Sequence, residues 1–192
     1  MSSTQDQLHV IFLPYMAPGH MMPMVDIARL FAAHGVRATI ITTPANARRF
    51  ETTIDHDIQA GRQIALEILP FPRTQWLTAA GSNPQGLPEG CENLSDAPTP
   101  EISIRLLGAI NLLQPQMENL LRKIRPDCIF SDVLFHWTAD IAAELGVPRL
   151  AFSGSGFFNL SVAVAVQCYR PHDDVRSEGE PFFVLSLPDK VL

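Results

Sequence analysis

The chain changes hydrophobic period twice in its opening stretch, and that change restricts the available folds more than any other feature. Leu8 to Pro14 is a short apolar run closed by a proline, the pattern of a buried strand. Ala17-Pro18-Gly19-His20 reads as a turn. From Met21 the spacing becomes helical. Met21, Met24, Val25, Ala28, Phe31 and Ala32 fall at i, i+3, i+4, i+7, i+10 and i+11, one face of a helix. Gly35 is a natural helix stop, and Val36 to Thr42 is a second, β-branched run. Strand, turn, helix, strand is a βαβ unit. Its two strands must be parallel, because the helix returns the chain to the end from which it started.

The rest of the chain extends this pattern. Ile64 to Leu69 predicts another strand. Residues 70 to 100 carry Pro70, Pro72, Pro84, Pro88, Pro98 and Pro100 with Gly81, Gly86 and Gly90, so a long loop is expected there. Ile104 to Ile124 is helical in pattern, with Met117, Leu120, Leu121 and Ile124 aligned and Pro115 placed to kink or divide it. Cys128 to Phe130 is a short strand. Trp137, Ile141 and Leu145 mark the next helix, which Gly146 ends, and Pro148 to Phe152 is a further strand. Phe157 to Tyr169 predicts a helix, Arg170 to Glu180 a polar stretch, and Pro181 to Leu187 an apolar one. The fold class is α/β with a doubly wound, mostly parallel sheet. With 192 residues, 46% of them apolar, the chain can bury a core of ordinary domain size.

Charge and composition exclude several functions. Lys and Arg number 14 against 20 Asp and Glu, a net charge of −6, and no basic cluster stands out, so no nucleic-acid partner is expected. The cysteines Cys91, Cys128 and Cys168 are odd in number and widely spaced, which fits free thiols in a reducing compartment better than zinc or disulfides. Met1 to Gln7 is polar and lacks the basic and apolar regions of a signal peptide, and no apolar run is long enough to span a membrane. A cytoplasmic protein is expected.

In open α/β sheets, ligands gather beyond the carboxyl ends of the strands. Two candidates stand there. His20 follows the first strand and starts the first helix; Asp132 follows the Cys128–Phe130 strand and precedes the Trp137 helix. Both belong to the same sheet edge, so they can meet across 112 positions of sequence. The positive end of a helix disfavours imidazolium, which leaves His20 able to accept a proton. A carboxylate on its other ring nitrogen would fix the tautomer and stabilise the cation formed in a reaction. Taken singly, each has a plainer reading: His20 as a surface or structural loop histidine, Asp132 as a cap of the helix after it.

Other features carry less. Gly154-Ser155-Gly156 stands between a strand and a helix like the start of a dinucleotide fingerprint, but Asn159 occupies the third glycine position, so a tight turn of small residues is the better reading. Ser153 and Ser155 remain candidates to face a ligand. His172-Asp173-Asp174 reads as a solvated loop rather than a metal site, and His136, Asp140 and Glu144 as a polar helix face. Met21, Met22 and Met24 read as core or pocket wall.

His9-Val10-Ile11-Phe12-Leu13-Pro14, Gly19-His20-Met21-Met22-Pro23-Met24 and Ala28-Arg29-Leu30-Phe31-Ala32 resemble, in that order, the opening of plant UDP-glycosyltransferases. Leu87-Pro88-Glu89-Gly90-Cys91-Glu92 is similar to a loop of their flavonoid and triterpenoid branch. Pro126-Asp127-Cys128-Ile129, Ser131-Asp132, Trp137-Thr138-Ala139-Asp140 and Gly146-Val147-Pro148 resemble the family's central stretch, and Phe182 to Pro188 resembles the segment after it. The resemblance implies a GT-B fold, two Rossmann-like domains across a cleft, of which residues 1–192 would be an incomplete N-terminal, acceptor-binding domain. The C-terminal UDP-sugar domain would lie outside the chain. It further implies that His20 is the catalytic base and Asp132 its acidic partner, that Gly19, Met21, Ser153 and Ser155 line the substrate site, and that the sugar, glucose by expectation, is transferred with inversion. The acceptor would be a flavonoid, terpenoid or other small phenol or alcohol. UDP-sugar would serve as co-substrate, with no cofactor and no metal. Arg73 to Gln85 departs from the family pattern as an insertion. On this reading the chain alone should not turn over, and a non-catalytic small-molecule-binding protein is the alternative. A dinucleotide-dependent oxidoreductase, on Gly154 and Gly156, is a more distant one.

Overall fold

The computed structural model describes residues 7–72, 86–177, 180–184, 187 and 190–191. The chain forms two compact units, Met1–Phe152 and Ser153–Leu192. In the first, β1 (His9–Leu13), β2 (Arg37–Thr42), β3 (Ile64–Ile68), β4 (Cys128–Asp132) and β5 (Arg149–Phe152) form one sheet in the order β3-β2-β1-β4-β5. Every neighbouring pair is parallel. The predicted α/β class and parallel sheet are those observed. The strand order reverses direction between β1 and β4, and a crevice opens at the carboxyl ends of such a pair.

β1 sits at the centre, and all five of its residues are buried, as expected of a parallel strand covered on both faces. Phe12 pairs in register with Phe130 of β4, and their rings stack at 5.3 Å. Helix α1 (Pro18–Ala33) adds Phe31 to this cluster, 5.5 Å from Phe12. The same helix buries Met21, Met24, Val25, Ala28 and Ala32, the stripe that the sequence spacing marked. The helix starts earlier than predicted. Pro18 occupies its first turn, where a missing N–H costs nothing, so the residues read as a turn are helical from Pro18 onward. Pro23 lies inside the helix and has no N–H to return to the carbonyl of Gly19. Gly35 follows with φ of 83°, the left-handed conformation glycine adopts without penalty.

Two helices, α2 (Pro44–Ala47) and α3 (Glu51–Gln59), lie between β2 and β3. Neither was predicted. The buried residues of α3 are Ile54 and Asp57, so its inward face is half polar and carries no apolar stripe. Pro115 divides the long predicted helix: α4 (Pro100–Asn111) ends, and α5 (Gln114–Ile124) begins with the proline in its first turn. Thr99 caps α4, its Oγ1 accepting from Ile102 N at 3.3 Å. Arg125 ends α5 in the left-handed region with φ of 50°. Helix α6 (Thr138–Leu145) stops at Gly146, whose φ is 70°.

The described part of the long loop is more ordered than its composition implies. Glu92 and Asn93 are fully buried. Glu92 accepts from Ala45 N at 2.8 Å, Asn46 Nδ2 donates to the Glu92 carbonyl at 2.8 Å, and Leu94 N donates to the carbonyl of Met16 at 2.9 Å. The segment is therefore pinned to both the β1–α1 connection and α2. The inserted stretch Arg73 to Gln85 lies outside the described residues, as do parts of the Arg170–Glu180 and Phe182–Pro188 segments.

The second unit holds α7 (Phe157–Tyr169), with the predicted bounds, a 3-10 turn at Pro171–Asp174, and the short antiparallel strands β6 (Phe182–Phe183) and β7 (Lys190–Val191). Among the described residues, no helix is long and apolar enough to cross a membrane.

Candidate functional site

Register brings the two candidate residues together. Leu13, the last residue of β1, pairs with Ser131 of β4, so the chain leaving β1 and the end of β4 emerge side by side. From β1 the chain takes four residues to enter α1, and His20 falls in the first helical turn. Asp132 is the last residue of β4, inside the strand rather than beyond it as the sequence pattern predicted.

His20 Nδ1 lies 2.7 Å from Asp132 Oδ2. The histidine side chain is 24% exposed and the aspartate 0%. The second carboxylate oxygen, Oδ1, accepts from Leu134 N at 3.0 Å. Asp132 therefore closes the turn after its own strand. It does not cap α6, whose N-cap is Trp137 without a side-chain bond. Both oxygens are engaged, so the carboxyl group is fixed, and toward a carboxylate Nδ1 is the nitrogen that donates. Nε2 then presents a lone pair, and it has no hydrogen-bond partner among the described residues.

A polar layer supports this end of β4. Ser131 Oγ and Thr138 Oγ1 are 2.7 Å apart, and Thr138 Oγ1 donates to the Phe135 carbonyl at 2.6 Å. Arg149 of β5 donates from Nε to both hydroxyls, at 2.9 and 2.6 Å, and from Nη2 to the Asp132 carbonyl at 3.3 Å. Strand, turn and helix are thus tied to the next strand around Asp132. On the other side of the pair, the Tyr15 ring lies 6.0 Å from the imidazole and 5.3 Å from Phe135. Burial, and then the charge of Asp132, push the Tyr15 phenol above its ordinary range. Sequence reasoning missed Tyr15, Phe135 and Arg149, because each looks like ordinary strand or turn sequence and acts only through contacts between distant segments.

The remaining candidates separate. Gly19 is exposed beside His20, and a Cβ there would meet nothing within 4 Å, so the fold leaves open space at that point. Met21 is only 1% exposed and packs in the core, the first of its two expected readings; Met22 is exposed at 44%. Ser153 and Ser155 belong to the second unit, where Ser155 N donates to Ser153 Oγ at 3.2 Å in a tight turn and Gly156 precedes α7. His172 is exposed, and Asp173 pairs with Arg170. Among the described residues, no cluster of three metal-ligating side chains occurs.

Comparison with known proteins adds the family. The sequence is 43% identical over 186 residues to solanidine UDP-glucose glucosyltransferase 1 of Solanum tuberosum, covering 96% of this chain and 36% of that protein. It is 44% identical over 194 residues to nuatigenin 3-beta-glucosyltransferase of Solanum aculeatissimum, covering the whole of this chain and 38% of that protein. The fold matches UGT73P12 of Glycyrrhiza uralensis, solved with glycyrrhetinic acid 3-O-monoglucuronide, with a TM-score of 0.80 at 41% identity over 96% of this chain and 36% of that one. The chain belongs to the plant UDP-glycosyltransferases. It corresponds to the N-terminal region of that family's GT-B fold and spans a little over a third of the length of the curated UDP-glycosyltransferases it matches. No protein-family model matches the sequence.

Proposed function

We propose that this chain is the acceptor-side part of a UDP-glucose-dependent glycosyltransferase, with His20 as catalytic base and Asp132 as its partner. The observation that carries the reading is the 2.7 Å contact between His20 Nδ1 and a fully buried Asp132, which leaves Nε2 free as an acceptor. An acceptor hydroxyl hydrogen-bonded to Nε2 loses its proton to the imidazole as its oxygen attacks the anomeric carbon of the sugar. The bond from that carbon to the diphosphate breaks, UDP leaves with the electron pair, and attack from the opposite face inverts the configuration. Asp132 remains ionised, stabilises the imidazolium, and holds the ring until the proton passes to solvent. UDP-glucose is a co-substrate in this scheme, which uses no cofactor or metal.

The acceptor side has support in the names of the relatives, which give solanidine and nuatigenin. A lipophilic terpenoid, flavonoid or other phenolic or alcoholic acceptor is the substrate class. The donor binds to a second Rossmann-like domain, in the part of the relatives beyond the match. Gly19, beside which the fold leaves open space, borders the reacting hydroxyl. The enzyme works in the cytoplasm, where Cys91, Cys128 and Cys168 stay as the free thiols observed.

The test is UDP release by the full-length protein from UDP-glucose with a panel of hydroxylated steroids, triterpenoids and flavonoids. Turnover that collapses in His20→Ala is the expected result. A His20→Ala variant that turns over at the parental rate would overturn the assignment of the base. Acceptor binding by the full-length protein without any UDP release would move the reading to a non-catalytic binding protein.

A further inference from the structure

The reaction scheme leaves Tyr15 without a task, yet no other aromatic ring among the described residues stands against the imidazole of His20. A histidine held by one hydrogen bond at Nδ1 is fixed at a single point. Its χ2 torsion is soft, so the ring can still swivel about that bond and carry Nε2 away from its target. A second contact, on the flank of the ring, is needed to define its plane.

We propose that Tyr15 is the positioning residue of His20: its ring, seated between the imidazole and Phe135, acts with Asp132 to keep Nε2 aimed outward. The proposal rests on the reading of His20 as base. Three observations support it. Tyr15 is 7% exposed and Phe135 2%, so these tilted ring contacts are packed and not free to drift. Phe135 is itself anchored, its N–H donating to the Asp132 carbonyl at 3.1 Å and its carbonyl accepting from Thr138 Oγ1 at 2.6 Å. The end of β4 and the turn after it thus hold His20 at two points, directly through Asp132 and indirectly through Phe135 and Tyr15. Finally, the Tyr15 hydroxyl makes no hydrogen bond among the described residues, so the ring rather than the oxygen does the holding. The raised phenol pKa agrees with this: Tyr15 stays neutral and sets no competing charge beside the base.

The experiment begins with proton NMR of this chain. The Nδ1–H of a histidine bonded to a buried carboxylate resonates far downfield, and His20→Gln identifies the signal by removing it. Tyr15→Phe should keep the resonance, whereas Tyr15→Ala should broaden it into exchange. Tyr15→Leu, which retains most of the volume, serves if the alanine variant does not fold. In the full-length enzyme, Tyr15→Leu should lower kcat about tenfold with the KM for UDP-glucose unchanged, and Tyr15→Phe should recover most of that loss. The proposal is overturned if the signal is as sharp in Tyr15→Ala or Tyr15→Leu as in the parent, or if Tyr15→Phe loses as much kcat as Tyr15→Leu. The NMR result does not depend on turnover. An active His20→Ala enzyme would sink the base assignment alone, and a Tyr15-insensitive resonance beside an inactive His20→Ala enzyme would sink only this proposal.

Discussion

The two halves of α1 are each gripped by a buried aspartate, and the grips differ in kind. At the first turn, Asp132, 0% exposed, holds His20 through one bond and leaves the far nitrogen of the ring without a partner. In the second half of the helix, Asp57, 4% exposed, accepts from Arg29 Nε and also from Arg62 Nη1. The Arg29 hydrogen bond, aided by the charges of both arginines, holds the Asp57 carboxyl below the usual carboxylate range. Arginine does not give up its proton in a protein, so the Asp57 cluster has one protonation state across the working range and can only hold. Histidine can change state, and its unpartnered nitrogen gives the change somewhere to act. A buried carboxylate is therefore no mark of chemistry by itself. What distinguishes the sites is whether the partner is titratable and incompletely bonded.

The contrast can be broken in several ways. The largest expected effect is at the first turn: His20→Ala in the full-length enzyme should cost roughly 10²–10⁴ in kcat, read as UDP release, with acceptor binding retained. Asp132→Asn keeps the shape but not the charge, and should cost up to about 10⁴ in kcat; equal activity to the parent would show that the pair is structural like its counterpart. Asp57→Ala should do the reverse. Its arginines are 31% and 37% exposed and can rehydrate, so a loss of about 1–2 kcal/mol in urea denaturation is expected, with turnover of the full-length enzyme unaffected. Because the folded-state pKa of Asp57 is lowered, its contribution is complete above the unfolded value near ~4 and fades as pH falls through the folded value. The parent should lose this increment on acidification and Asp57→Ala should not; identical acid profiles would rule out the linkage. The smallest effect is a control that touches neither grip. Arg125 sits in the left-handed region at the end of α5, and Arg125→Gly should raise stability by up to about 1 kcal/mol without altering activity.

The same contrast explains what the sequence displayed. β1, the stripe of α1 and β2 declared themselves through apolar runs and spacing, because most of what they bury is apolar. α3 stayed hidden because half of what it buries is Asp57, and an aspartate in a polar stretch looks solvated until Arg29 and Arg62 are seen around it. His20 and Asp132 were legible because both stand at strand ends on one sheet edge, a matter of topology. The complete burial of Asp132, its bond to Leu134 N, and the tilted Tyr15–Phe135 ring contact were not, since they depend on the course of turns whose sequences fix no single geometry. The loop around Glu92 was legible as a loop from its prolines and glycines, but its anchoring was not: the buried Glu92 and Asn93 tie it to Ala45 and Asn46.

The strand order has a consequence in time. β1 is made first but lies in the middle, and its second neighbour, β4, arrives more than a hundred residues later, with 112 positions separating the histidine from its aspartate. Contacts this remote in sequence close slowly, since a long loop must be ordered before they repay it. A nascent chain that has already laid β2 and β3 beside β1 carries His20 without its aspartate. Only when β4 slots into the open side of β1 does Asp132 meet His20, so formation of the pair and completion of the sheet's centre are a single event.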